Sequence, residues 1–380
     1  MAQEKPVVWG VLGASHFALM AAIPAMQRAP LVELRALASR SLAKAEQAAN
    51  AVKVPRAYGS YAELLADPEI EAIYNPLPNN LHVDWSIKAA RAGKHVLCEK
   101  PIAMNAAEAE QLWQVQRETG KLIAEAFMMR YHPQWELVVS LIQSGRIGKV
   151  RAVQTAFSYS NSDLENIRNQ KAVGGGALYD IGGYAINTAR LIFGAEPKRV
   201  VGVCEVDAKS GCDCLTSAIL DFGVGQANFV VGTQHVPYQR VQIFGSSGHI
   251  EVEIPFNAPH DRGCKICVDD GFVGAPDFTV KQTSNERAEV LTTPAANHYT
   301  VQWQSFSEAI RAGTPVKNDM QSAVANMRVI DAVFRSAESQ RIAAPGVAFA
   351  CHARAIPTAR RSPRSLANAR PAQARLYQPG

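Results

Sequence analysis

Along the first 127 positions, apolar residues fall into short unbroken runs that alternate with stretches of helical spacing. Residues 7–12 are apolar throughout, as in a strand buried on both faces. An apolar-periodic helix follows to about Arg28, then a second strand at 32–39 and an Ala-rich helix from Ser41. Ser60 and Glu63 have the spacing of a capping box and open a short helix ending near Asp67. Residues 70–75 and 95–99 read as strands, with a helix at 81–92 between them that Gly93 closes. Asn105 and Glu108 open another helix, which runs to about Thr119 and stops at Gly120, and 122–127 makes a sixth strand. Strand and helix in strict alternation, joined by short loops, predict an α/β doubly wound parallel sheet.

Beyond Pro133 the pattern changes. One helix reaches Ser144, 150–160 alternates as a strand, and a helix follows the glycines near 175. Strands are then expected at 200–206, 215–222, 226–233, 241–244 and 249–252, without intervening helices, which predicts an open, largely antiparallel sheet. Helices return at 298–312 and 322–339. The expected organisation is a Rossmann domain over 1–127, an α+β domain over 128–345, and a tail over 346–380.

At 380 residues the chain exceeds one ordinary core. Its net charge of +5 is localised: six arginines and no acid lie beyond residue 345, leaving the first 345 residues at −1. The tail, rich in Pro, Ala, Ser and Arg, has the composition of a disordered extension. The near-neutral body argues against a nucleic-acid partner. No apolar run approaches the roughly 20 residues of a membrane span, and the amino terminus has no signal-peptide core, so a cytoplasmic location is expected. Seven cysteines suit a reducing compartment. Cys264-x-x-Cys267 lacks a second ligand pair, so no metal site is expected.

Gly13-Ala14-Ser15-His16-Phe17-Ala18 passes from the first strand into the first helix, a turn that offers free N–H groups to a pyrophosphate. Gly13-x-Ser15-x-x-Ala18 is a degenerate form of the dinucleotide fingerprint. The second strand ends in Ser39-Arg40, with no acid until Glu46. Arg40, helped by Ser39 and Lys44, therefore suits a 2′-phosphate, and NADP is the expected cofactor. Pro76-Leu77-Pro78-Asn79 stiffens a loop at the carboxyl end of another strand, positioned to lie along the cofactor; His82, in the helix turn that follows, reads as structural rather than catalytic and is counted with the cofactor-binding residues. Lys100 ends a nearly apolar strand at the same sheet edge, where its ammonium can polarise a hydroxyl or orient a proton donor. Asp180 and Tyr184, four residues apart after Gly174-Gly175-Gly176, are expected to share one helix face.

Together these motifs resemble the glucose–fructose oxidoreductase/inositol dehydrogenase (Gfo/Idh/MocA) family over residues 7–345. They include Glu99-Lys100-Pro101, Glu125-Ala126-Phe127 and Asp180-x-x-x-Tyr184, in that order. The resemblance implies catalytic roles for Lys100, Asp180 and Tyr184, and places Glu99 and Arg168 at the cofactor. Tyr184, where many members carry His, is similar to the branch of glucose–fructose oxidoreductase, NADP-dependent xylose dehydrogenase and dihydrodiol dehydrogenase. The implied reaction is hydride transfer between the nicotinamide and a sugar, polyol or cyclic diol carbon. The alternatives are a keto-sugar or anhydro-sugar reductase and a non-catalytic cofactor sensor. Side chains of 157–161, with Phe157 foremost, of Gln234 and His235, and of the helix around His298 and Tyr299 are expected near the substrate. The open sheet is expected to join copies into a homo-oligomer, a dimer or tetramer. The Arg-rich tail has no counterpart in that family.

Overall fold

The computed structural model describes residues 5–270 and 288–346. The expected tail falls outside the described residues except at its first position. Six parallel strands form the first sheet: β1 (Val7–Leu12), β2 (Val32–Ala38), β3 (Arg56–Tyr58), β4 (Ala72–Asn75), β5 (His95–Cys98) and β6 (Ile123–Glu125). Their order is β3-β2-β1-β4-β5-β6, the doubly wound arrangement in which the strand order reverses between β1 and β4. Every residue of β1 is buried, as its unbroken apolar run requires.

The first helix departs from its expected form. A wide π turn over Ala18–Ala22 precedes α1 (Ile23–Met26), which has Pro24 in its first turn. Then come α2 (Leu42–Ala51), α3 (Tyr61–Ala66), α4 (His82–Arg91) and α5 (Ala106–Thr119). Their ends follow the sequence signals. Ser60 Oγ accepts from the N–H of Glu63 at 3.2 Å, and Asn105 Oδ1 from that of Glu108 at 2.9 Å. Gly120 ends α5 at φ 65°.

After α6 (Pro133–Gln143) come β7 (Val150–Ser160) and α7 (Gly183–Phe193), then β8 (Arg199–Val206), β9 (Asp213–Asp221), β10 (Gln226–Gly232), β11 (Gln234–Gly245) and β12 (His249–Val252). The sheet continues through β13 (Lys265–Asp269) and β14 (Glu289–Thr292), two strands absent from the sequence expectation. The order is β14-β13-β12-β11-β7-β10-β9-β8, and every pairing is antiparallel except β7 with β10.

The chain closes with α8 (His298–Ala312) and α9 (Met320–Ser339). Although α8 lies far along the sequence, it packs on the first sheet. Trp303 meets Trp9 and Tyr74 edge-on, with centroids 5.3 and 4.7 Å apart, and Trp9 Nε1 donates to Ser307 Oγ. Arg311 donates to both carboxylate oxygens of Glu71. The boundary expected at residue 127 thus separates the two sheets, but the helices that cover them cross it. Among the described residues, no helix is long and apolar enough to cross a membrane.

Candidate active site

At the carboxyl ends of β1, β4 and β5 the polypeptide turns away from the first sheet and leaves a cavity of about 910 Å3 facing the second. Gly13 makes the turn after β1 at φ 88°, and a side chain there would press on Leu77. Ser15 caps the turn that follows, its Oγ accepting from the N–H of Ala18 at 3.1 Å. Ser15, His16 and Phe17 then form one cavity wall together with Pro76, Leu77 and Asn79. Gly13, Ala14 and Pro78 are not among the residues that line the cavity. Ser39 is buried at the end of β2, where Arg40 and Lys44 are exposed. Among the described residues, no carboxylate lies within salt-bridge distance of Arg40 or Lys44. A shaped turn, a helix start and unpaired cations fit a dinucleotide phosphate at this edge.

His82 requires a correction. It is fully buried outside the cavity lining, with Nδ1 and Nε2 each 2.7 Å from a carbonyl oxygen, of Pro101 and Leu77. Burial lowers its pKa to about 4. A neutral ring donates to one of those carbonyls, so His82 braces the two loops instead of touching cofactor. Asn79 provides the other tie, its Nδ2 donating to the carbonyl of Gly174 at 2.8 Å.

Lys100 and Asp180 meet in the cavity. The ammonium donates to Asp180 Oδ1 at 2.9 Å and to its backbone carbonyl at 2.6 Å. Asp180 Oδ2 accepts from the Tyr159 hydroxyl at 2.6 Å and from Arg168 Nε at 3.2 Å. Burial would raise the Asp180 carboxyl, but Lys100 and Arg168, helped by the Tyr159 hydroxyl, hold it well below the usual carboxylate range. Arg168 therefore engages this carboxylate directly, a contact the cofactor expectation did not include. Asp180 belongs to a wide π turn, Leu178–Gly182, that runs into α7, whose second residue is Tyr184. Both side chains line the same cavity.

Tyr184 is buried among Phe127, Phe157 and Phe256, whose ring centroids lie 5.1, 5.8 and 5.4 Å away. Its hydroxyl faces Met128 Sδ at 3.3 Å, and Lys100 Nζ sits 5.2 Å from its ring centroid. Burial, reinforced by Tyr299 and the nearby carboxylates, pushes its pKa well above 10. Behind Lys100, Glu99 accepts from the Tyr74 hydroxyl at 2.7 Å, and burial raises the Glu99 carboxyl. Tyr299 lines the cavity and packs edge-on against Phe17. Phe157 also lines it, whereas Gln234 and His235 are exposed on β11 away from the lining. An irregularity in the β11–β7 register follows Gln234, and it is Tyr238, Gln239 and Arg240 that reach the wall. Tyr159 falls in the stretch 157–161 expected at the pocket and does line it, but its bond to Asp180 was not part of that expectation. Its signal was the alternation of β7, which turns Phe157 and Tyr159 to one face.

Residues 7–127 match the family model of the oxidoreductase family with an NAD-binding Rossmann fold, and residues 135–251 match the GFO/IDH/MocA C-terminal domain. The chain belongs to the Gfo/Idh/MocA family. Within it, an uncharacterized oxidoreductase of Rhizobium meliloti is 44% identical over 333 residues, covering 87% of this chain and 97% of its own length. The D-xylose 1-dehydrogenase (NADP(+)) 2 of Haloferax volcanii is 34% identical over 338 residues, 88% of this chain and 98% of that one. A crystal structure of a 3-ketoreductase from Actinomadura kijaniata in complex with NADP and TDP-benzene aligns with a TM-score of 0.79. The two are 29% identical, and the match covers 87% of this chain and 98% of that one.

Proposed function

We propose that this Gfo/Idh/MocA member is an NADP-dependent oxidoreductase that acts on a CH–OH carbon of a sugar, polyol or cyclic diol. The observation that carries the reading is the Lys100–Asp180 ion pair beside Tyr184, in a cavity that also takes in Ser15–Phe17 of the glycine turn. The relatives named for xylose oxidation and for keto-sugar reduction, together with the NADP in the aligned crystal structure, support both substrate class and cofactor.

The first β–α turn would hold the pyrophosphate, Arg40 and Lys44 the 2′-phosphate, and Glu99 with Pro76–Asn79 the nicotinamide end. The dinucleotide, when bound, supplies the hydride acceptor or donor. The chain handles the proton. Lys100 donates two N–H bonds to Asp180, which fixes the ammonium and leaves its third hydrogen for a substrate oxygen. The charge stabilises a developing oxyanion at that oxygen. As the phenolate, Tyr184 would take the hydroxyl proton during oxidation; as the phenol it gives that proton back to the alkoxide during reduction.

Burial keeps Tyr184 a neutral phenol in this state. A neutral phenol is ready to give its proton to an alkoxide, which favours the keto-sugar or anhydro-sugar reductase as the second reading. Absorbance at 340 nm distinguishes the two. Aldoses, inositols and diols are offered with NADP+ and with NAD+, and keto-sugars with NADPH. NADPH formation with an aldose, polyol or diol supports the dehydrogenase, and NADPH consumption with a keto-sugar alone supports the reductase. NADPH binding without turnover in either direction would leave a sensing role.

The same reading includes a homo-oligomer built on the outer face of the second sheet. Val201 lies opposite Ile219, and Val203 and Val230 flank Ser217 on the strands either side of it; all four apolar side chains are exposed. Such a largely apolar exposed face suits a self-complementary interface.

A further inference from the structure

The helical segment that carries Asp180 and Tyr184 is held at its start by a group outside the cavity. Asp213, the first residue of β9, is only 6% exposed. Its Oδ2 accepts from the backbone N–H of Leu178 at 2.8 Å and from the Thr216 hydroxyl at 2.6 Å. A Cβ on Gly176 would overlap Asp213 Oδ1, so the carboxylate reaches the helix start only because residue 176 is glycine, at φ 125°. Gly176 connects onward in two directions. Its N–H donates to the carbonyl of Arg168 at 2.9 Å, and its own carbonyl accepts from the N–H of Asp180 at 3.0 Å. Asp213, Gly176, Arg168 and Asp180 therefore form one continuous set of contacts that ends on the carboxylate bonded to Lys100.

A buried carboxylate is costly unless hydrogen-bonded, and the bonds that hold this one come from neutral N–H and O–H donors. At the first turn of a helical segment it satisfies an N–H that has no partner within the helix, and it faces the positive end of the dipole. We propose that Asp213 is a positioning residue. Its carboxylate anchors the turn at Leu178 and so sets the reach of Asp180 toward Lys100 and the placement of Tyr184 in the cavity. The inference rests on the reading of Lys100, Asp180 and Tyr184 as the catalytic group.

The test compares Asp213→Ala, Asp213→Asn and Thr216→Val. In Asp213→Ala, kcat is expected to fall about 10²-fold, the scale of a displacement near 1 Å. NADPH binding, read by its fluorescence, stays at the parental value because the first β–α turn is untouched. Asp213→Asn keeps an acceptor of the same shape and recovers most of kcat. In the free protein, hydrogen exchange over 177–184 accelerates in Asp213→Ala and not in Asp213→Asn. Parental kcat in Asp213→Ala would overturn the proposal. So would Asn failing to rescue, or kcat and NADPH binding falling together.

If Asp213→Ala does not fold, Thr216→Val removes one donor and carries the test. A lower kcat with faster exchange at 177–184 supports the anchor, and no change in either rejects it. A parent that turns over no substrate would defeat the catalytic reading of the site, while the exchange measurement would still decide on the anchor.

Discussion

Asp180 receives hydrogen bonds from an ammonium, a guanidinium and a phenol, so the position of Lys100 depends on three neighbours at once. Lys100→Met keeps the length of the side chain and removes its charge. Turnover should fall by roughly 10²–10⁴ while NADPH binding persists, which a kinetic assay paired with fluorescence titration checks. At the opposite end of the cofactor site, Arg40→Ala should raise KM for NADP+ by about 10–100-fold and leave that for NAD+ unchanged, the loss expected for one hydrogen bond to a charged group. Glu125 gives a pH signature. It is buried, accepts from the N–H of Ile102 at 2.8 Å, and burial raises its pKa to about 8. The folded chain keeps a proton that the unfolded chain releases near pH 4.5, so stability falls as pH rises between those values, by about 1.4 kcal/mol per unit. Buried neutral histidines such as His82 tilt the total the other way below pH 6.5, so the signature is a difference: the stability of the parent relative to Glu125→Gln should fall from pH 5 to pH 8 in urea denaturation. The sequence made Lys100, Asp180 and Tyr184 legible because each belongs to a motif. Tyr159 and Asp213 belong to none, and their meaning appears only when β7 and β9 are laid beside the turn before α7.

Helix ends and buried strands were readable because local chemistry sets them: Ser60, Asn105, Gly93 and Gly120 each mark an end through their own side chain or backbone freedom. The two π turns, at Ala18–Ala22 and Leu178–Gly182, were not readable, since widening a turn changes hydrogen bonding without altering the apolar period. The first directly follows the cavity residues Ser15–Phe17 and the second carries Asp180, consistent with the placing of such turns at functional sites. The strands β13 and β14 were also missed. Ile266 and Val268 alternate inward, but over five residues that alternation is too short to stand out. At this scale the helix α8 makes the clearest prediction. Trp303→Ala removes a fully buried indole from between Trp9 and Tyr74 and should cost about 3–5 kcal/mol in urea unfolding. Because Tyr299 lies one turn away on α8 and lines the cavity, KM for substrate should rise as well.

For the whole molecule, the exposed face of the second sheet leads to an assembly prediction. Val203 is 68% exposed in mid-strand, and Val203→Lys should convert an oligomer to a monomer in light scattering after gel filtration, with secondary structure retained. The return of α8 to the first sheet has another consequence, in the order of synthesis. The ribosome delivers all six strands of that sheet long before Trp303, Phe306 and Ser307, which cover the face of Trp9. A nascent chain of 127 residues has its complete parallel sheet, but on the side of Trp9 only α1 and α2 are there to cover it. The part that belongs under Trp303 and Phe306 stays greasy and unprotected until some 180 further residues have been made. Folding of the nucleotide-binding half is thereby tied to the arrival of nearly the entire polypeptide, and a gene cut at the apparent boundary would yield a fragment prone to clumping.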